Sequence, residues 1–99
     1  MSLRKNQSRF VRKVGLLIAY AYEQGYELTF SDTYPGKDKH NPNGFHPKGL
    51  AIDINLFKDG KYLTETSDHE FLGVFWESIG GSWGGRWGDG NHYSFGESQ

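Results

Sequence analysis

Leu50-Ala51-Ile52-Asp53-Ile54-Asn55-Leu56-Phe57 alternates strictly along its length. A strand has a side-chain period of two, so Leu50, Ile52, Ile54 and Leu56 share one face while Ala51, Asp53, Asn55 and Phe57 share the other. The aliphatic face is the core face, and Asp53 is expected to project from the opposite, polar one. Asp59-Gly60 then signals a hairpin turn, with residues 61–64 as the returning strand. Residues 26–30, rich in aromatic and β-branched types, read as a short strand upstream, and residues 91–95 as a last one downstream.

Helical periodicity flanks these strands. Phe10, Val14, Leu17, Ile18 and Ala21 recur at helical spacing within residues 3–24, and Gly25 follows as a C-terminal cap. Ser67 with Glu70 three residues on has the capping-box pattern, opening a second helix through Phe71, Leu72, Phe75, Trp76 and Ile79 that stops at Gly80-Gly81. Residues 80–90 are dominated by glycine and tryptophan, which favours close backbone approach over regular structure. Residues 33–48 form a polar loop holding Pro35, Pro42 and Pro47, and long loops of this kind are usually functional or mobile. The expected architecture is α+β, two helices packed on one face of a small, mostly antiparallel sheet.

With 99 residues the chain suits one domain, residues 1–99, and one active site at most. Aromatic residues make up 16% of it and are expected to fill a limited core. A formal charge of −1 and a pI of 6.4 give no electrostatic case for nucleic acid or an acidic membrane surface. Arg4, Lys5, Arg9, Arg12 and Lys13 read as a solvated helix face. The apolar run at 14–21 is far shorter than the roughly 20 residues that span a bilayer, and the basic residues before it interrupt any signal-peptide pattern. The expectation is cytoplasmic synthesis without a signal peptide, and a monomer. Cysteine is absent, so any metal falls to His, Asp and Glu.

Four such side chains stand out. His46 and Asp53 are seven residues apart, up to about 23 Å in an extended chain, whereas zinc ligands each sit about 2 Å from the metal. The chain between them must double back, which Pro47 and Gly49 permit. His92 would supply a third ligand from a neighbouring strand. Asp89, between Gly88 and Gly90, is placed to stand over the metal as general base without joining its coordination shell. A catalytic zinc site takes three protein ligands and keeps one position for water, so the spare carboxylate suggests an enzyme. His40 and His69 read as surface positions.

Taken together these residues resemble the zinc D-alanyl-D-alanine carboxypeptidases and L-alanyl-D-glutamate endopeptidases of bacterial walls and phage endolysins, whose fold is shared with the hedgehog signalling domain. The likeness rests on His46-Pro47-Lys48-Gly49-Leu50-Ala51-Ile52-Asp53 and on the ending Trp83-Gly84-Gly85-Arg86-Trp87-Gly88-Asp89-Gly90-Asn91-His92-Tyr93. It extends to the first helix and Tyr20-Ala21-Tyr22-Glu23-Gln24-Gly25-Tyr26-Glu27-Leu28. It implies Zn2+ held by His46, Asp53 and His92 in a cleft, Asp89 as catalytic base, and a peptidoglycan stem peptide as substrate. Leu56-Phe57-Lys58-Asp59-Gly60-Lys61-Tyr62-Leu63 looks most like the phage-borne branch, whose enzymes reach the wall through a holin pore. Relatives commonly carry an arginine just after the tyrosine that follows the first strand, where this chain reads Thr33-Tyr34-Pro35-Gly36-Lys37, and a serine two positions before the first histidine, where it has Gly44. Tyr34, Lys37 and Arg86 are the residues expected to engage substrate instead.

Three functions follow from this pattern. The first is a zinc peptidase cutting stem peptides, with cleavage between L-Ala and D-Glu preferred over removal of a terminal D-Ala. The second is a zinc-containing binding module without catalysis. The third is a metal that serves only to staple the fold. Manganese and cobalt also suit such ligand sets.

Overall fold

The computed structural model describes residues 2–31 and 48–96. Helix α1 spans Leu3–Glu23; Ser2 caps its start by accepting a hydrogen bond from the Lys5 N–H. Its buried residues, Phe10, Val14, Leu17 and Ala21, form one stripe at helical spacing. The chain turns at Gln24 and Gly25 into β1, Glu27–Phe30. Strand β2 is Ala51–Lys58 and β3 is Lys61–Leu63, joined across Asp59-Gly60 as the hairpin signal required. Helix α2 covers Glu70–Ser78, β4 is Ser82–Trp83 and β5 is His92–Ser94.

Every pairing among the described strands is antiparallel. The sheet order is β1-β2-β5-β4, with β3 on the far half of β2. Strand β2 is therefore central: β1 covers one edge, while β5 pairs with Ala51–Asp53 and β3 with Leu56–Lys58 along the other. Ile54 and Asn55 fall between β5 and β3, leaving a notch in that edge. The α+β expectation of two helices and an antiparallel sheet holds.

The core lies where both helices meet the aliphatic face of β2. Leu17, Ala21, Ile54, Leu56, Leu72, Trp76 and Tyr93 are fully enclosed within it. Trp76 sits at its centre, meeting Phe10 and Tyr93 edge to face at ring separations of 5.9 and 6.1 Å. Its indole N–H donates to the carbonyls of Ser82 and Ser94, which ties α2 to β4 and β5.

The glycine-rich segment has a packing cause. A Cβ on Gly73 would lie 2.1 Å from the Trp83 ring, and one on Gly85 would lie 2.2 Å from it. The indole is thus clamped between two glycine backbones, and its N–H donates to the Gly90 carbonyl.

Three expectations are corrected. The capping box that opens the second helical segment is Glu65 with Asp68, not Ser67 with Glu70; it starts a 3-10 turn, Thr66–His69, that runs into α2. His69 is not on the surface but 3% exposed, because that added turn rolls its side chain inward to meet Tyr93. The basic residues of α1 are not only a solvated face: Arg9 and Lys13 flank the Phe95 ring at 5.6 and 5.7 Å, and the Lys13 amine donates to the Ile79 carbonyl at the end of α2. Cations are favoured at helix C-termini, so Lys13 also fastens α1 to α2.

Substituting Gly73→Ala tests the clamp. The added methyl meets a rigid ring with no room to shift, so unfolding by urea should show a loss of about 1–3 kcal/mol; an unchanged midpoint would mean that Trp83 is free to move.

Candidate active site

The register of β2 against β5 creates the site. Asp53 pairs directly with His92, and side chains directly opposite one another in an antiparallel pair lie on the same face with Cβ atoms about 4.5–5.5 Å apart. The His92 Nδ1 and Asp53 Oδ1 atoms come to 3.2 Å. Asp53 is further braced from β1, where the Ser31 N–H donates to its carbonyl. The polar face of β2 is therefore not an open solvent face at this point: Asp53 is 5% and His92 7% exposed. Tyr93, one residue on, faces the core.

Two donors about 2.0–2.2 Å from one tetrahedral zinc stand about 3.3–3.5 Å apart. The separation of the Asp53 and His92 atoms is close to that edge, so the pair fits two positions of a metal shell, and without metal the same atoms lie within hydrogen-bond distance. The rest of that shell is not in view: among the described residues no group of three or more His, Cys, Asp or Glu side chains gathers. His46, Tyr34 and Lys37 lie outside the described residues, as do His40 and the proline loop.

Asp89 occupies a turn held by backbone hydrogen bonds and by the side chains of Trp83 and Thr66. Its N–H donates to the Gly84 carbonyl at 2.9 Å and its carbonyl accepts from the His92 N–H at 3.2 Å. Gly84 allows this approach, since a Cβ there would lie 2.4 Å from the Asp89 carbonyl and 2.7 Å from the His92 Cβ. Thr66 secures the other side, its hydroxyl accepting from the Gly90 N–H. The Asp89 side chain is exposed, and Trp87 packs against the His92 ring at 6.0 Å.

A cleft of about 200 Å³ opens in the notch between β3 and β5. Ile54 and Asn55 form its sheet edge; Tyr62, Glu65, Thr66, His69 and Asp89 are among its walls. It begins one residue beyond each member of the buried pair, since Ile54 follows Asp53 and Asn91, another lining residue, precedes His92. Among its described lining residues the formally charged ones are both acids, Glu65 and Asp89.

Arg86 points its planar fork elsewhere. It holds both Glu77 carboxylate oxygens, at 2.8 and 2.7 Å, and lies over the Trp83 ring at 5.2 Å. These hydrogen bonds push the Glu77 carboxyl below its usual range and raise the Arg86 guanidinium.

His69 is the site-wall residue that sequence reasoning missed. Its Nδ1 lies 2.9 Å from the Tyr93 hydroxyl. Burial pushes its imidazole down to about 4, with the Asp68 charge pulling more weakly the other way. Burial likewise pushes the Tyr93 phenol well above its usual value. Helical position alone could not reveal this, because the inward roll depends on the 3-10 turn that precedes α2.

The sequence model of one protein family, described as D-alanyl-D-alanine carboxypeptidase, matches residues 37–95, more than half of the chain. A comparison with curated proteins finds no match.

The state of His69 has a consequence for stability. In the unfolded chain it takes up a proton as pH falls through about 6.5, whereas in the folded protein it stays neutral down to about 4. The unfolded state binds more protons in this window, so stability is full above pH 6.5 and falls on acidification toward pH 4, by up to about 3 kcal/mol. Urea midpoints between pH 4 and 7 should fall more steeply for the wild type than for His69→Asn; parallel curves would contradict the assignment.

Proposed function

The chain belongs to the D-alanyl-D-alanine carboxypeptidase family of peptidases, and from that premise we propose that it is a zinc peptidase hydrolysing peptidoglycan stem peptides. The observation that carries the reading is the register pairing of Asp53 with His92 beside a cleft walled by Asp89. Asp53 and His92 would hold the metal together with His46, the ligand named by the family pattern. Bound there, zinc would supply a Lewis acid and a water with its pKa lowered from 15.7 to about 7.

The chain's own residues supply the rest. Asp89, exposed at the cleft wall on a turn pinned by Gly84 and Thr66, accepts the proton of the attacking water and returns it to the departing amine. Trp87, from the enclosing loop at Gly84–Trp87, packs against the His92 ring and fixes its orientation.

Cleavage within the stem peptide, between L-Ala and D-Glu, is favoured over removal of a terminal D-Ala. The preference rests on the likeness of residues 56–63 to the phage-borne branch. Arg86, one of the residues expected to engage substrate, is engaged by Glu77. The same likeness to phage-borne enzymes supports a reading in which the protein acts at the wall after release from the cell, by way of a holin. Among the described residues no helix is long and apolar enough to cross a membrane.

The test is a digest of purified cell walls by zinc-loaded protein, read by mass spectrometry. New N-terminal D-Glu ends are expected, and release of D-Ala alone would assign the carboxypeptidase reaction instead. Asp89→Asn should keep its zinc and lose at least about 100-fold in kcat/KM, whereas Asp53→Ala should lose zinc as well; a fully active Asp89→Asn protein would remove Asp89 from the mechanism.

A further inference from the structure

His69 and Tyr93 form a buried polar pair that neither the metal pair nor the general base uses. Tyr93 is fully buried, and its hydroxyl has no hydrogen-bond partner among the described residues besides the His69 Nδ1. A buried O–H that finds no acceptor is costly. The Nδ1 atom is the acceptor within reach, so the phenol donates to it and Nδ1 carries no proton. A neutral imidazole then carries its proton on Nε2.

That Nε2–H is itself without a hydrogen-bond partner among the described residues, yet His69 lines the cleft. Buried donors are rarely left unpaired, and on a cleft wall the partner is a water or a bound molecule that displaces it. The identity of the missing acceptor follows from the cleft. With Glu65 and Asp89 in its walls, a carboxylate would meet two like charges, whereas a neutral carbonyl oxygen would not. At the cleft edge the Ile54 N–H is already taken by the Asn91 carbonyl, so a peptide lying there would be held by the side chains of the walls rather than by an added strand pairing.

We propose that His69 is a substrate-binding residue whose Nε2–H, oriented by the Tyr93 hydroxyl, donates to a backbone carbonyl of a peptide lying in the notch between β3 and β5. The inference rests on the peptidase reading for the identity of that peptide. Tyr93 acts through His69 and is a positioning residue.

The experiment uses zinc-loaded Asp89→Asn protein, which stops turnover, and a synthetic stem pentapeptide. Long-range proton–nitrogen spectra at pH 7 should show His69 protonated at Nε2 before addition, with that signal moving as peptide is titrated in. Asparagine places its carbonyl oxygen near Nδ1 and has nothing at Nε2, so His69→Asn should keep the Tyr93 partner and weaken the peptide's Kd about tenfold. Glutamine reaches the Nε2 position with an N–H, so His69→Gln should recover most of that loss. Should either variant fail to fold, the spectra of the histidine protein decide alone. Peptide that binds, or is cleaved by the protein with Asp89 intact, while the His69 signal stays still would overturn this inference and leave the peptidase reading standing. A signal that moves without any cleavage by the Asp89 protein would do the reverse, and a peptide neither bound nor cleaved would overturn both.

Discussion

The pairing of Asp53 with His92 across two strands is the constraint on which the remaining structure turns. Two polar, ionisable side chains are enclosed to within a few percent of full burial, at a cost that their mutual contact helps to offset. Their register is not adjustable by one residue, since a slip would send both to the opposite face and bring Ile52 and Tyr93 out of the core. The hydrophobic packing of Ile54, Leu56 and Tyr93 and the polar pair on the reverse face therefore select the same alignment.

The segment between α2 and β5 serves that alignment. Trp83 is clamped between Gly73 and Gly85, its indole bonds the Gly90 carbonyl, and the turn so fixed carries Asp89 on one side and delivers His92 into β5 on the other. A glycine-rich stretch often signals slack. Here it lets bulky rings and backbone approach closely enough to set a carboxylate beside a cleft.

Much of this was legible in the sequence, and for identifiable reasons. Strict alternation at 50–57 and the 3.6-residue stripe of Phe10, Val14, Leu17 and Ala21 are periodic signals that survive folding unchanged. Asp53, Asp89 and His92 stood out because their chemistry is scarce in a chain without cysteine. What the sequence concealed depends on three-dimensional detail. Asp53 looked like an outer-face residue until its partner strand closed over it. His69 looked like a surface residue in a first helical turn, and only the 3-10 turn begun by the Glu65–Asp68 box brings it under Tyr93. Arg86, a possible substrate anchor by charge, is taken up by Glu77, nine residues earlier on a helix whose facing side no local pattern announces.

The central claim is that Asp53 and His92 are two ligands of one catalytic metal. Zinc-edge X-ray absorption on protein loaded with a single equivalent tests it most directly. The account predicts a four-coordinate shell of nitrogen and oxygen with two imidazoles, reduced to a shell without its carboxylate, or to no bound zinc, in Asp53→Ala. Stoichiometric zinc whose shell is unchanged by that substitution would contradict it.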